Sequence, residues 1–171
     1  RRGAYYFDGV DDSIGFDTEL LRGLDKFSVS FWMMSEANTS GAFLFEGDLS
    51  SSAFFLRSNP GQNRLVAKVD GHFNTKFKLP ETVTLHDGSW HHVVFTASQA
   101  NGLTLYVDRK EVGRDESVTW DAWDAGATQL GRLGQPESSS SSTNMLFIGR
   151  MDDVAFYDRE VAASDVRVLF K

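Results

Sequence analysis

Apolar and polar residues alternate along much of this 171-residue chain, in short runs broken by polar punctuation. Phe27, Val29, Phe31 and Met33 interleave with Ser28, Ser30, Trp32 and Met34. That period of two predicts a strand with one face on a core. Leu103, Leu105 and Val107 interleave with Thr104, Tyr106 and Asp108 in the same way. Residues 4–7 read as an aromatic strand ended by Asp8-Gly9, and residues 90–97 as a strand rich in Val, Phe and Thr. Residues 42–46 and 53–57 flank Gly47-Asp48-Leu49-Ser50 as a hairpin-like pair. Residues 64–69 and 72–78 flank Asp70-Gly71, the strongest short hairpin signal in the chain. Residues 129–131 suit a short strand, and 144–148 and 153–157 two more, separated by Gly149-Arg150-Met151-Asp152.

Helical periodicity is scarce. Residues 19–22 suit one turn, and residues 162–170 a short terminal helix with Val166, Leu169 and Phe170 on one side. Long loops are expected at 79–89, 114–128 and 133–143, the last carrying five consecutive serines. Roughly 10 to 14 short strands with only a terminal helix imply an all-β fold, a two-sheet antiparallel sandwich or jelly roll. The length suits one domain spanning residues 1–171. The chain opens Arg1-Arg2-Gly3, with no initiator Met or signal peptide, and so reads as a domain cut from a longer protein.

Composition narrows the function classes. Lys plus Arg total 17 against 24 Asp plus Glu, a formal charge of −7, which argues against a partner bound through its phosphates. No apolar run reaches the roughly 18 residues of a membrane span. The absence of Cys removes thiol catalysis, disulfides and zinc–thiolate sites. The acids divide into 16 Asp and 8 Glu, and Asp favours turns and caps over helices. The excess points to a turn-rich β protein and to hard-cation sites.

Five blocks then carry a family resemblance. Tyr5-Tyr6-Phe7-Asp8-Gly9-Val10-Asp11-Asp12 resembles the opening strand and turn of laminin-G-like, concanavalin-A-like jelly rolls. Leu24 to Trp32, Asp87 to Thr96, Leu103 to Asp108 and Met151 to Arg159 resemble their later signatures, in the family's order and across essentially the whole chain. The resemblance implies a two-sheet antiparallel jelly-roll sandwich with a short C-terminal helix. It extends to the lectin-like ligand-binding module of large bacterial (RTX-type) adhesins. Arg109 departs from the pattern, standing where a turn glycine usually follows Asp108, which predicts a different turn geometry there.

The resemblance also implies a calcium site near the first and last strands, which lie side by side in the family. Asp8, Asp11 and Asp12 sit at the first turn and Asp152 and Asp153 at the last, so the two clusters are expected to meet. Alternation favours Asp12 and Asp152 as ligands, with Asp8 beside them and Asp48 as a ligand of a second ion. The same acids are equally suited to capping turns through backbone N–H groups. Trp120 and Trp123, flanked by Asp121 and Asp124, suit a sugar, with rings on its apolar face and carboxylates on its hydroxyls. They also suit a lid over the core. Asn38 and Asp48 are polar residues near turns that could line a glycan-binding rim. Trp32 and Trp90 read as core, and His91-His92 as strand residues pointing to opposite faces.

No phosphate loop, Gly-x-Ser-x-Gly, His-Glu-x-x-His or Glu-x-Asp-x-x-Glu run is present. The expectation is a noncatalytic, calcium-dependent, carbohydrate-binding adhesion domain. It would be extracellular or at a cell surface, monomeric in isolation, and bound to a surface glycan or polysaccharide, with no nucleic acid and no membrane insertion. The alternative is a protein-interaction or spacer domain; a polysaccharide hydrolase or lyase ranks below both.

Overall fold

Each alternating run becomes a strand because its apolar positions share one interior. The computed structural model describes residues 3–16, 20–21, 23–38, 41–47, 53–69, 75–118, 132–133 and 146–170. In chain order the strands are β1 (Tyr5–Asp8), β2 (Ile14–Gly15), β3 (Lys26–Met34), β4 (Ala42–Gly47), β5 (Ala53–Asn59) and β6 (Arg64–Lys68). They continue as β7 (Thr75–Lys78), β8 (His91–Ser98), β9 (Gly102–Val107), β10 (Lys110–Asp115), β11 (Arg132–Leu133) and β12 (Ile148–Tyr157), before helix α1 (Ala163–Leu169).

They form two six-stranded sheets, ordered β1-β12-β3-β8-β9-β10 and β2-β11-β4-β5-β6-β7. Every ladder is antiparallel. This is the expected two-sheet jelly-roll sandwich with a terminal helix. Phenylalanines join the sheets: Phe27 meets Phe54 at 5.1 Å between ring centroids, Phe54 meets Phe95 at 5.6 Å, and Phe31 meets Phe43 at 5.3 Å. Such edge-on and tilted pairs add to what area burial alone contributes.

Two strands differ from the sequence reading. The stretches 144–148 and 153–157 belong, from Ile148 onward, to the single strand β12, which bulges between Asp152 and Ala155. Gly149 keeps that strand close to β3, since a Cβ there would lie 2.3 Å from the Met34 carbonyl oxygen. Strand β10 gave no signal because its sequence, Lys-Glu-Val-Gly-Arg-Asp, lies at a sheet edge and lacks alternation. Its last two residues fall inside the predicted 114–128 loop. The expected strand at 129–131 lies outside the described residues, next to β11.

The turn joining β9 to β10 corrects another expectation. Asp108 and Arg109 both take positive φ, 47° and 71°, so the glycine-type geometry persists without glycine. The Arg109 guanidinium lies 4.3 Å above the Phe170 ring, a cation–π contact that offsets the strain.

Helix α1 covers part of the outer face of the first sheet. Val166 is fully buried there with Val94, Tyr106 and Val161. Trp32 is buried on the same outer face, 4.8 Å from the Phe170 ring, and so lies outside the inter-sheet core. Trp90 is only half-buried and precedes β8, which corrects its expected core position.

Candidate functional site

The first turn folds on its own aspartates. Asp8 Oδ1 accepts the Val10 N–H at 2.7 Å, and Asp12 Oδ2 accepts the Asp8 N–H at 2.9 Å. Gly9 at φ 78° lets the chain reverse against Ile148. The reversal brings one carboxylate oxygen from each of Asp8, Asp11 and Asp12 within 4.8 Å of one another. Three anionic oxygens at an exposed turn fit a hard cation such as calcium, which takes six to eight oxygens, about half of them left to carbonyls or water.

Asp152 lies elsewhere. The antiparallel β1–β12 register pairs Asp8 with Ile148 and Tyr5 with Met151. Asp152 is therefore four residues along β12 from the point opposite Asp8, about 13 Å at strand rise. The strands are neighbours as expected, but their opposite directions part the two aspartate clusters, and Asp11 completes the first in place of Asp152. Asp152 Oδ1 instead accepts the Asp153 N–H at 2.9 Å, inside the β12 bulge.

Next to the first turn is an open groove of about 490 Å³, lined by Tyr6, Met34, Ser35, Glu36, Arg150 and their neighbours. Tyr6 pairs with Arg150 and Arg150 with Met34, so the three side chains form one row on the outer face. Tyr6 is 59% exposed. The floor is held firmly: Ser35 Oγ donates to the Ile148 carbonyl at 2.7 Å, and the Gly88 N–H donates to the Ser35 carbonyl at 3.0 Å. Asn38 is exposed two residues beyond Glu36. Tyr6, Glu36 and Arg150 thus put a ring, a carboxylate and a guanidinium along one groove, with the Glu36 side chain lying against Gly88. Glu36 is the one carboxylate among the described lining residues.

The two histidines face opposite ways. His92 is buried on the outer face, its Nε2 2.8 Å from Ser30 Oγ. His91 lies between two carboxylates, Nδ1 2.8 Å from Asp108 Oδ2 and Nε2 3.1 Å from Asp87 Oδ1. The Asp108 hydrogen bond, helped by Asp87, raises the His91 pKa above its ordinary value against the opposing effect of burial. Burial pushes the Asp108 carboxyl up, but bonds from the His91 ring and the His92 N–H bring it below its usual value. The Ser89 N–H, then His91, hold Asp87 low.

Asp48, Trp120, Asp121, Trp123 and Asp124 lie outside the described residues. Sequence reasoning passed over Tyr6, Glu36 and Arg150. The signal for Tyr6 was present: two adjacent tyrosines on one strand point to opposite faces, so one of them had to leave the core side.

The comparisons agree with this architecture. The chain shares its fold with a native heptameric SAP-like pentraxin from Limulus polyphemus, at 15% identity and TM-score 0.73, over 97% of this chain and 80% of that one. Domains LG4-5 of mouse laminin alpha1 match at 17% identity and TM-score 0.70, over 96% of this chain and 44% of that one. Domain 4 of AbnA, an extracellular GH43 arabinanase from Geobacillus stearothermophilus in complex with arabinotriose, matches at 19% identity and TM-score 0.71, over 98% and 76%. A search of curated proteins gives no match. A laminin-G family model matches residues 8–167, and the chain therefore belongs to the concanavalin A-like lectin/glucanases superfamily, whose fold commonly binds carbohydrates or proteins.

Proposed function

We propose that the protein is a noncatalytic carbohydrate-binding domain acting outside the cell or at its surface. The Tyr6–Arg150–Glu36 groove receives a sugar, and the Asp8, Asp11 and Asp12 turn holds a calcium ion beside it. The observation that carries the reading is the exposed Tyr6 ring set next to Arg150 and Glu36 in an open groove. The ring covers a pyranose C–H face, while the guanidinium donates to hydroxyls and the carboxylate accepts from them. Hydrolysis of a glycosidic bond ordinarily takes two carboxyl groups flanking it, and among the described residues that line this groove Glu36 is the one acid. An arabinotriose-bound domain among the structural neighbours is consistent with a sugar ligand. Calcium, where bound, braces the first turn and positions the groove's edge.

The exposure of Tyr5, Tyr6 and Val10, at 64%, 59% and 69%, favours a second reading as a protein-docking edge. A glycan array run with calcium and with a chelator separates the two. Carbohydrate binding that the chelator weakens supports the proposal; a clean array at high protein concentration sinks it. Calcium at a hundred times its dissociation constant stabilises the fold by about 2.7 kcal/mol, read as a rise in unfolding temperature that Asp12→Asn abolishes. An unfolding temperature indifferent to calcium removes the metal from the proposal.

A further inference from the structure

On the same outer face, one row beyond the Tyr6 groove, lies a second groove of about 360 Å³. Its floor is Ser30, Trp32 and His92; its wall is the β12 bulge with Asp153 and Tyr157. The register fixes the order of the rows. Arg150 sits opposite Met34, Asp152 opposite Trp32, Ala155 opposite Ser30 and Tyr157 opposite Ser28. Three steps on β12 match two on β3 between the second and third of these rows. The extra residue restores the side-chain parity, so Ala155 and Tyr157 point outward with Arg150 and Asp152. Asp153, at φ 49°, is the residue the bulge sets apart.

The polar floor of this groove has a feature its neighbourhood lacks. Ser28 faces outward too, but the chain leading into α1 takes its donor and one acceptor position: it donates to the Arg159 carbonyl at 2.8 Å and accepts the Val161 N–H at 2.9 Å. Ser30 and His92 are only 4% and 1% exposed, meet each other at 2.8 Å, and line the groove. A serine hydroxyl has one donor and two acceptor positions, so the His92 contact leaves Ser30 capacity for a ligand hydroxyl. Buried polar side chains on a strand face carry a desolvation cost, and a groove that brings hydroxyl groups to them offsets it.

We infer that the two grooves are subsites for one extended neutral oligosaccharide laid along β12 from Tyr6 to Tyr157. The inference rests on the carbohydrate reading above. Six residues of β3 separate the Met34 and Ser28 rows, about 20 Å of strand, which several sugar rings end to end can span. The charges along the track choose a neutral chain. Arg150 and Glu36 lie in the first groove and Asp153 in the second. A uniformly anionic polysaccharide that paired with the guanidinium would meet like charge at the bulge.

Calorimetric titration with α-glucan, β-glucan and mannan oligosaccharides, each from monomer to hexamer, tests this, with oligogalacturonates of equal length as the anionic series. Affinity in a neutral series rises with length until both grooves are filled. Asp153→Gly, which keeps the positive φ without strain, lowers the affinity of the long oligomers about tenfold and flattens the length dependence. Tyr6→Ala weakens binding at every length. The unfolding temperature of each variant confirms that the fold is kept. Equal affinity for monomer and hexamer, an unaffected Asp153→Gly variant, or tighter binding of the oligogalacturonates overturns this inference and leaves the carbohydrate reading standing. Binding to none of the series overturns both.

Discussion

The outer face of the first sheet has two halves built from the same strands and treated differently. Over β8 and β9 it is covered: Val94, Tyr106, Val161 and Val166 form a small buried cluster beneath α1. Phe170 closes its edge, 4.8 Å from Trp32, 5.8 Å from His92 and under the Arg109 guanidinium. Over β1 and β12 the face stays open and carries Tyr6, Arg150 and Met34 beside Glu36. The half over β8 and β9 buries apolar Val94 and Tyr106 together with polar His92, Thr96 and Thr104. Amphipathic and charged side chains occupy the half it leaves open, where they meet solvent or a ligand. Among the described residues, the chain's own end covers one half of the face and leaves the other exposed.

The contrast is broken most severely at α1. Val166→Asp places a carboxylate without a partner in the covered half, and unfolding in denaturant is expected to lose more than about 3 kcal/mol of stability. A loss below 1 kcal/mol would mean that the helix does not hold this half closed. The open half is expected to respond the other way. Tyr6→Ala changes stability by no more than about 0.5 kcal/mol, as for an ordinary surface site, yet costs about tenfold in glycan affinity. Denaturant unfolding and titration on the same preparations check the pair.

The His91 bridge lies on the opposite face of its strand from His92, beside the loop whose Gly88 N–H bonds the Ser35 carbonyl, and it sharpens the comparison through pH. Asp87 and Asp108 bind its two nitrogens, with Lys110 and Glu111 lining the same groove and His86 adjacent in the loop. Because the His91 pKa is raised on folding, the stability it adds is complete below the ordinary histidine value and is lost as pH climbs through the raised one. The depressed Asp87 and Asp108 values work in reverse, adding stability that is lost as pH falls through them. Stability from this bridge is therefore complete between the ordinary carboxylate and ordinary histidine values, and it is lost toward the lowered carboxylate values on the acid side and the raised histidine value on the alkaline side. Its alkaline decline is expected to be under about 1 kcal/mol, because the groups are partly solvated. His91→Asn should flatten that decline in a pH series of unfolding midpoints, whereas an unchanged decline would assign it to another group.

The smallest expected effect is at Arg109. Arg109→Ala keeps the positive φ and loses the Phe170 contact, at about 0.5 kcal/mol. Arg109→Gly costs less, because glycine sheds the backbone strain together with the contact. An alanine variant more stable than wild type in thermal melts would show that the ring contact contributes nothing to closing this half.

The strands with strict alternation, β3 and β9, were legible because each puts one apolar set on a shared core and period two has no other reading. Edge strand β10 was not, since a strand with solvent around it needs no apolar face. The single β12 was also hidden: Gly149 and the Asp152–Asp153 pair read as turn punctuation, whereas here they mark a close approach and a bulge within one strand. Among the candidate site residues, the aspartates of the first turn were legible because they bond backbone groups only two and four residues away. Their partners were not, because the direction and register of β1 against β12 decide which residues of the last strand lie opposite them.

By itself, the sequence determined the all-β class, most strand positions, the terminal helix and the acid-rich first turn, all of which follow from side-chain periodicity and hydrogen bonds between near neighbours. The tertiary structure alone decided that Asp152 stands apart from Asp8 and that Tyr6, Glu36 and Arg150 share a groove. It also decided that one half of a sheet face stays open. Those outcomes depend on strand register, on a bulge that resets side-chain parity and on where the chain's end comes to rest. Each is fixed by packing between residues far apart in the chain, which local pattern does not encode.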